Sequence, residues 1–329
     1  MLMLLVSLLL LVGCVGGRKE AETGGDEGYC SGSVALGAYI PGVREDPAKI
    51  DEFTTMVGTS PTIVAWYQNW AQSSVKEFDA QKMEAVASRG AMPMVTWAPR
   101  DPTKGTEAKK QREYKVQTIV AGEHDDYIRR WARGAAEWGK PMYLRFAHEM
   151  NSVSYPWSIG LNDNTSAEYV SAWRHIVDIF RKEGATNVRW VWSPTVALNV
   201  SPPFEEFYPG DDYVDWVALD GFNWGTSRSW SSWQTLAEVF GPSYEEVTAL
   251  APDKPFMLAE TASAEEGGDK AAWIRDAFGE DLPTRLPMTK AVVWFNENKE
   301  ADWRVDSSPS SLEAYSEIAA SLAYRCQRL

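Results

Sequence analysis

The 329-residue sequence predicts a single (β/α)8 barrel. Three observations point there. Eight short β-rich runs recur at intervals of about 30 to 50 residues. They are apolar almost throughout, which marks a parallel sheet covered on its outer face. Segments with helical periodicity lie between them, the order expected of βα units. A doubly wound open sheet is the competing architecture, but no Gly-rich phosphate fingerprint follows the first run.

Taken in order, Val34 to Ile40 is the first run, followed by a helical pattern over Asp46 to Val57. Thr62 to Trp66 precedes a helix over Phe78 to Arg89, and Met92 to Trp97 precedes one over His124 to Trp138. The fourth run, Met142 to Phe146, leads to the clearest helix, Ser166 to Glu183. There Tyr169, Trp173, Ile176, Val177 and Phe180 form an apolar stripe opposite a charged face. Val188 to Trp192 and Trp216 to Leu219 come next, and a helix over Trp233 to Leu250 follows the latter. Phe256 to Ala259 and Ala291 to Phe295 complete the set, with helices over Asp269 to Phe278 and Ser310 to Leu322. Ser166, Asp269 and Ser310 are plausible caps for three of these helices.

Ahead of the barrel, the sequence opens MLMLLVSLLLLVGC, an apolar run too short to span a bilayer and closed by small residues. Its ending, Leu11-Val12-Gly13-Cys14, resembles the bacterial lipobox, in which the cysteine is lipidated. No Lys or Arg precedes the run, which departs from the usual signal. Residues 1–14 are thus expected to be a lipoprotein-type signal peptide, residues 15–29 a Gly-rich, charged tether, and residues 30–329 the catalytic barrel. The expected location is the cell surface, through a lipid anchor at Cys14, or otherwise the medium. Export favours pairing of the two remaining cysteines, Cys30 and Cys326. Closing the barrel brings the start of the first strand beside the end of the last helix, so such a link is geometrically reasonable. In the loop-entropy account it would add roughly 4 to 5 kcal/mol.

The charge balance, 46 acidic against 32 basic residues for a net −14, argues against nucleic acid or an anionic membrane surface as partner. Sixteen Trp and thirteen Tyr exceed what a core of this size needs. Flat aromatic faces hold the C–H faces of sugar rings, so part of this excess points to a carbohydrate partner.

Active sites of such barrels lie at the C-terminal ends of the strands. The fourth run ends in Ala147-His148-Glu149-Met150-Asn151, the sixth in Asp220-Gly221-Phe222-Asn223-Trp224, the seventh in Ala259-Glu260-Thr261 and the eighth in Trp294-Phe295-Asn296-Glu297. Glu149 and Glu260 therefore top strands on opposite sides of one mouth. Two facing carboxylates are the minimum equipment for glycosidic cleavage: one protonates the leaving oxygen, while the other attacks the anomeric carbon or activates water. The acid needs a raised pKa, which burial against Trp157 could supply, and the other carboxylate needs a cation such as Arg145 to stay ionised. A zinc motif of the H-E-x-x-H type fails because Ser152 occupies the second histidine position, and only three His exist in the chain. No motif calls for a metal or an organic cofactor. Trp131, Trp138 and Trp173 fall on helices and read as core, whereas Trp66, Trp97, Trp192, Trp224 and Trp294 end strands or open loops and read as cleft lining. Trp230 and Trp233 follow the sixth strand and could be either.

At these residues the sequence resembles glycoside hydrolase family 26, most specifically through RFAHEMNSVSYPW, Arg145 to Trp157, and also through DWRVDSSP, Asp302 to Pro309. The resemblance covers about Ser33 to Tyr324. It implies a retaining, double-displacement endo-β-glycanase, most often a β-1,4-mannanase; the chemistry of cleavage itself needs no cofactor, and the protein is expected to be a monomer. It places the acid/base at Glu149 and the nucleophile at Glu260, matches His148 and Asn151 to polar residues of the motif, and matches Trp294 to a sugar platform at the cleavage site. Ser152 and Ser154 depart from the usual Gly and Trp, and Phe222 from the usual Tyr, whose hydroxyl would hydrogen-bond the nucleophile. These departures keep three alternatives open: action on β-1,3-xylan, action on mixed-linkage β-glucan, or a non-catalytic glycan-binding surface lipoprotein on the same barrel.

Overall fold

A computed structural model of the protein describes residues 33–71, 77–105, 107, 110–198 and 201–324. The signal, tether and lipidation expectations at Cys14, and the proposed Cys30 to Cys326 link, lie outside the described residues.

Eight parallel strands close into a barrel in chain order: β1 (Ala35–Tyr39), β2 (Ile63–Asn69), β3 (Met92–Ala98), β4 (Met142–Phe146), β5 (Val188–Trp192), β6 (Trp216–Asn223), β7 (Phe256–Ser263) and β8 (Thr289–Phe295). β8 closes on β1 in register from Ala35 opposite Ala291 to Tyr39 opposite Phe295. The predicted runs all appear, with β6 and β7 longer than their apolar stretches suggest. These two strands keep pairing through polar residues, from Asp220 opposite Glu260 to Asn223 opposite Ser263.

Strand parity sorts the core into two layers. Ala35, Ile63, Ala65, Met94, Tyr143, Val191, Trp216, Ala218, Met257, Ala259, Ala291 and Val293 fill the barrel interior. Their neighbours along each strand, such as Val64, Val95, Leu144, Val217, Leu258 and Val292, face the helices in a larger outer core. The predicted stripe on Ser166–Lys182 is buried against that layer: Tyr169, Trp173, Ile176, Val177 and Phe180 are all fully covered.

The caps are close to those expected, though shifted. Thr165 rather than Ser166 caps its helix, in a capping box with Glu168, and Ser308 rather than Ser310 caps Pro309–Ala320. Asp269 caps Lys270–Asp276 as predicted. At the bottom of the barrel the Val34 amide donates to the Ala323 carbonyl at 3.0 Å, so the two ends of the described barrel are neighbours.

One irregularity matters for the site. Between Leu258 and Glu260, β7 carries one residue more than either neighbour: Leu219 faces Leu258 while Asp220 faces Glu260, and Val292 faces Leu258 while Trp294 faces Thr261. This bulge at Ala259 resets the parity, and Glu260 points to the same mouth as Asp220.

Candidate active site

Past Phe146 the chain leaves extended geometry abruptly. Ala147 and Glu149 adopt φ values of 44° and 50°, a region that side-chain-bearing residues pay to occupy. Surrounding hydrogen bonds hold them there. The Glu149 amide donates to the Ser193 carbonyl at 2.8 Å, and Trp157 Nε1 donates to the His148 carbonyl at 2.8 Å. Asn151 clasps the backbone of Thr195, accepting from its N–H at 3.0 Å and donating to its carbonyl at 2.9 Å. The loop after β4 is thereby tied to the end of β5.

Beneath Glu149 lies a buried ionic cluster. Arg145 donates through Nη1 to both carboxylate oxygens of Asp220, at 2.8 and 2.7 Å, and through Nη2 to Glu260 Oε1. Its Nε and Nη2 also reach Thr96 Oγ1 at 3.0 and 2.8 Å. The Tyr67 hydroxyl is a second donor to Glu260 Oε1. Arg145 is 1% exposed and Asp220 0%, so this is a fully desolvated pair whose hydrogen bonds offset the cost of burying charge. Arg145 thus contacts both Asp220 and Glu260, a choice of partner that the sequence left open. The phenol missing at Phe222 has a counterpart: Tyr67 supplies a hydroxyl to Glu260 from β2.

Glu149 stands in a different environment. Burial, then the nearby Glu260 charge, push its carboxyl up to about 7, opposed by Arg145 and by a hydrogen bond from Tyr155. The Tyr155 hydroxyl also lies 3.2 Å from His148 Nε2. Burial, with Arg145 nearby, holds the His148 imidazole well below its usual range, so it is neutral at physiological pH. The two glutamates thus sit in different surroundings: burial and a neighbouring charge raise Glu149, whereas Glu260, itself 6% exposed, accepts from a guanidinium and a phenol.

Glu149 and Glu260 line one cleft of about 730 Å³ at the barrel mouth. Its walls include Tyr67, Tyr155, Phe222, Trp224, Phe295 and Trp303, with Arg100, Lys110, Lys299, Glu107 and Glu300 around them. Of the residues predicted to bind substrate, Phe222 and Trp224 reach this cleft. Arg145, His148 and Asn151 are buried beneath or behind it and act on neighbouring protein groups. Trp157 is also behind the wall, stacked on Tyr155 with ring centroids 4.6 Å apart. Trp66, Trp97, Trp192 and Trp294 are corrections: each has outward parity and packs in the outer core. Trp97 sits among Trp70, Tyr127, Trp131 and Phe146, and Trp192 among Phe204, Phe207 and Tyr208. Trp294 contacts Trp273, Phe278 and Tyr315 and donates Nε1 to the Trp303 carbonyl. The aromatic wall it was expected to provide comes instead from Phe295 and Trp303.

Tyr67, Tyr155, Phe295 and Trp303 are the site residues that the sequence reading missed. Parity held the signal for two of them. Tyr67 and Phe295 immediately follow Trp66 and Trp294, and alternation from the interior residues Ala65 and Val293 points them inward. Trp303 belongs to a loop whose return, a bridge between Asn298 and Asp302, has no periodic signature.

Comparison with known proteins agrees with this geometry. The profile of Glycosyl hydrolase family 26 matches residues 101–282. Endoglucanase H of Acetivibrio thermocellus is 39% identical over 320 residues, covering 95% of this chain and 33% of that protein. Beta-1,3-xylanase TXYA of a Vibrio species is 26% identical, covering 80% of this chain and 57% of that protein. The chain thus spans a third to just over half the length of these relatives. Among solved structures, a GH26 beta-mannanase from Bacteroides ovatus, BoMan26A, superposes with a TM-score of 0.67 at 20% identity, covering 90% of each chain, a likeness of fold. The profile covers more than half of the chain and the endoglucanase nearly all of it, and on those grounds this chain belongs to glycosyl hydrolase family 26.

Proposed function

We propose that the protein is a retaining endo-β-glycanase in which Glu260 is the nucleophile and Glu149 the acid/base. The observation that carries this reading is the contrast between two carboxyls in one cleft: Glu149 is pushed up to about 7, whereas Glu260 is held by Arg145 and Tyr67. In the first step a Glu260 oxygen attacks the anomeric carbon while Glu149 gives its proton to the departing glycosidic oxygen, leaving a glycosyl ester on Glu260. Both donors meet Oε1, and we assign the attack to Oε2. In the second step Glu149, now ionised, takes a proton from water as that water displaces Glu260 from the sugar, restoring both carboxyls.

A β-glucan is placed first as substrate, because the relative matching 95% of the chain at 39% identity carries the name endoglucanase. β-1,4-Mannan, the first choice on sequence grounds, and β-1,3-xylan follow. The test is release of reducing ends from mixed-linkage β-glucan, β-1,4-mannan and β-1,3-xylan, with proton NMR of the first-formed anomer. Early β-anomer from any of them supports the reading. Early α-anomer overturns retention, and no release from the whole panel overturns the enzyme.

A further inference from the structure

All sixteen tryptophans lie among the described residues, and of these Trp230 alone is exposed, at 70%. An indole left in water forgoes the burial that draws tryptophan inward, and its position is informative. Its ring centroid lies 5.4 Å from that of Trp224, which lines the cleft. The rings are inclined by 59°, so they present separate faces rather than one continuous plane.

The segment that carries Trp230 is firmly held. Ser227 Oγ donates to the Trp224 carbonyl at 2.6 Å, and Ser231 Oγ to the Gly225 carbonyl at 2.7 Å. Arg228 lies over the Trp224 ring at 5.3 Å and donates to the Glu300 carbonyl, linking the loop after β6 to the loop after β8. Thr226 donates to the Glu266 carbonyl at 2.9 Å in the loop after β7. Gly225 permits that approach: it has φ +51°, and a Cβ there would lie 1.8 Å from the Glu266 oxygen. Three loops therefore fix an apolar face at the rim of the cleft, and the ordering cost of a binding surface has been met before any ligand arrives.

We infer that Trp230 is the platform of an outer subsite, binding one pyranose of a β-linked glycan beyond the unit that meets Trp224. This rests on the glycanase reading and adds to it a residue that reads substrate length. Stacking buries the exposed indole against the C–H face of a sugar, whereas a ligand too short to pass Trp224 gains nothing from it. No ionisable group of Trp230 takes part, so the contribution is independent of pH.

The test compares Trp230→Ala with wild type on tri- and hexasaccharides of the mixed-linkage gluco- and manno- series. The ratio of kcat/KM for hexasaccharide to that for trisaccharide is expected to fall roughly tenfold, the equivalent of about 1.4 kcal/mol of lost stacking. Trp230→Tyr is expected to restore most of that ratio, since it keeps an aromatic face. An unchanged ratio overturns the subsite, as does an equal loss for both lengths. Titration calorimetry with the same sugars on the Glu149→Gln background separates the two readings. If wild type cleaves nothing, the glycanase reading fails, yet weaker hexasaccharide binding after Trp230→Ala still supports the platform. Identical binding isotherms overturn it.

Discussion

Tyr67 on β2 and Glu260 on β7 share a hydrogen bond although two strands, β8 and β1, separate them around the barrel. Arg145 from β4 donates to the same oxygen. One carboxylate oxygen is thus held by two side chains, from β2 and β4, that cannot move without distorting a strand. Such rigid placement lets a nucleophile react without first reorganising its surroundings.

Tyr67→Phe keeps the ring, including its edge contact with Tyr39, and removes only the donor. Because Arg145 still holds Oε1, kcat is expected to fall roughly 10- to 100-fold with little change in KM, less than the loss of a sole donor would bring. Steady-state kinetics on polysaccharide check the split, and a thermal melt within a few degrees of wild type checks the fold. A variant with wild-type kcat would show that this hydroxyl does not act on the nucleophile.

The Arg145 cluster predicts an order of stability losses. Asp220→Ala removes one buried carboxylate and leaves Arg145 paired with Glu260, whereas Arg145→Ala strands two carboxylates, Asp220 at 0% exposure and Glu260 at 6%. Breaking a buried ion pair costs about 3 to 5 kcal/mol, so Arg145→Ala is expected to lose that much or more, and Asp220→Ala less. Urea denaturation of the two proteins gives the order, and a reversed order would contradict the charge accounting.

Much of this arrangement was legible in the sequence because it follows from repeating physics. Apolar runs alternating with helical stripes specify the barrel, and the polar residues that end those runs mark the mouth, which is how Glu149, Glu260 and Arg145 could be named. The tryptophans show where such reading fails. Trp97, Trp192 and Trp294 stand at strand ends as a cleft residue would, yet each sits one position out of phase with the inward set and belongs to the outer core. The bulge at Ala259 is a single added residue with no compositional mark, and only pairing with both neighbours exposes it. Tyr155 and Trp303 lie on loops, whose shape is set by contacts distant in sequence.

Glu149 ties activity and stability to pH in the same sense. In its proposed role as the acid Glu149 must carry its proton, so kcat/KM is expected to decline as pH rises through about 7. The Tyr155 hydrogen bond favours the ionised form, and Tyr155→Phe is expected to move this alkaline limb upward. For stability, burial raises the folded-state pKa above the ordinary carboxyl value. The associated stability is complete below the unfolded pKa and is lost as pH rises through the folded one. Glu149→Gln, which never ionises, is therefore expected to be more stable than wild type at pH 8 by about 3 kcal/mol and to show no such gain near pH 4. Thermal melts at the two pH values decide it, and an equal gain at both would mean that ionisation is not the cause.

Exchange of roles between the two glutamates is the remaining possibility to separate, and azide does so by stereochemistry. With Glu260→Ala, the space left by the nucleophile opens on the α face of a β-linked sugar. Azide entering there, with Glu149 still protonating the leaving oxygen, gives an α-glycosyl azide. With Glu149→Ala, an activated aryl glycoside needs no acid, so Glu260 still forms its ester. Azide, which needs no general base, then attacks that ester from the β face and gives a β-azide. Rate recovery with α product from the Glu260 variant and β product from the Glu149 variant, read by proton NMR, fits the assignment. The opposite pairing would exchange the roles and would require Arg145 and Tyr67 to be holding the acid rather than the nucleophile.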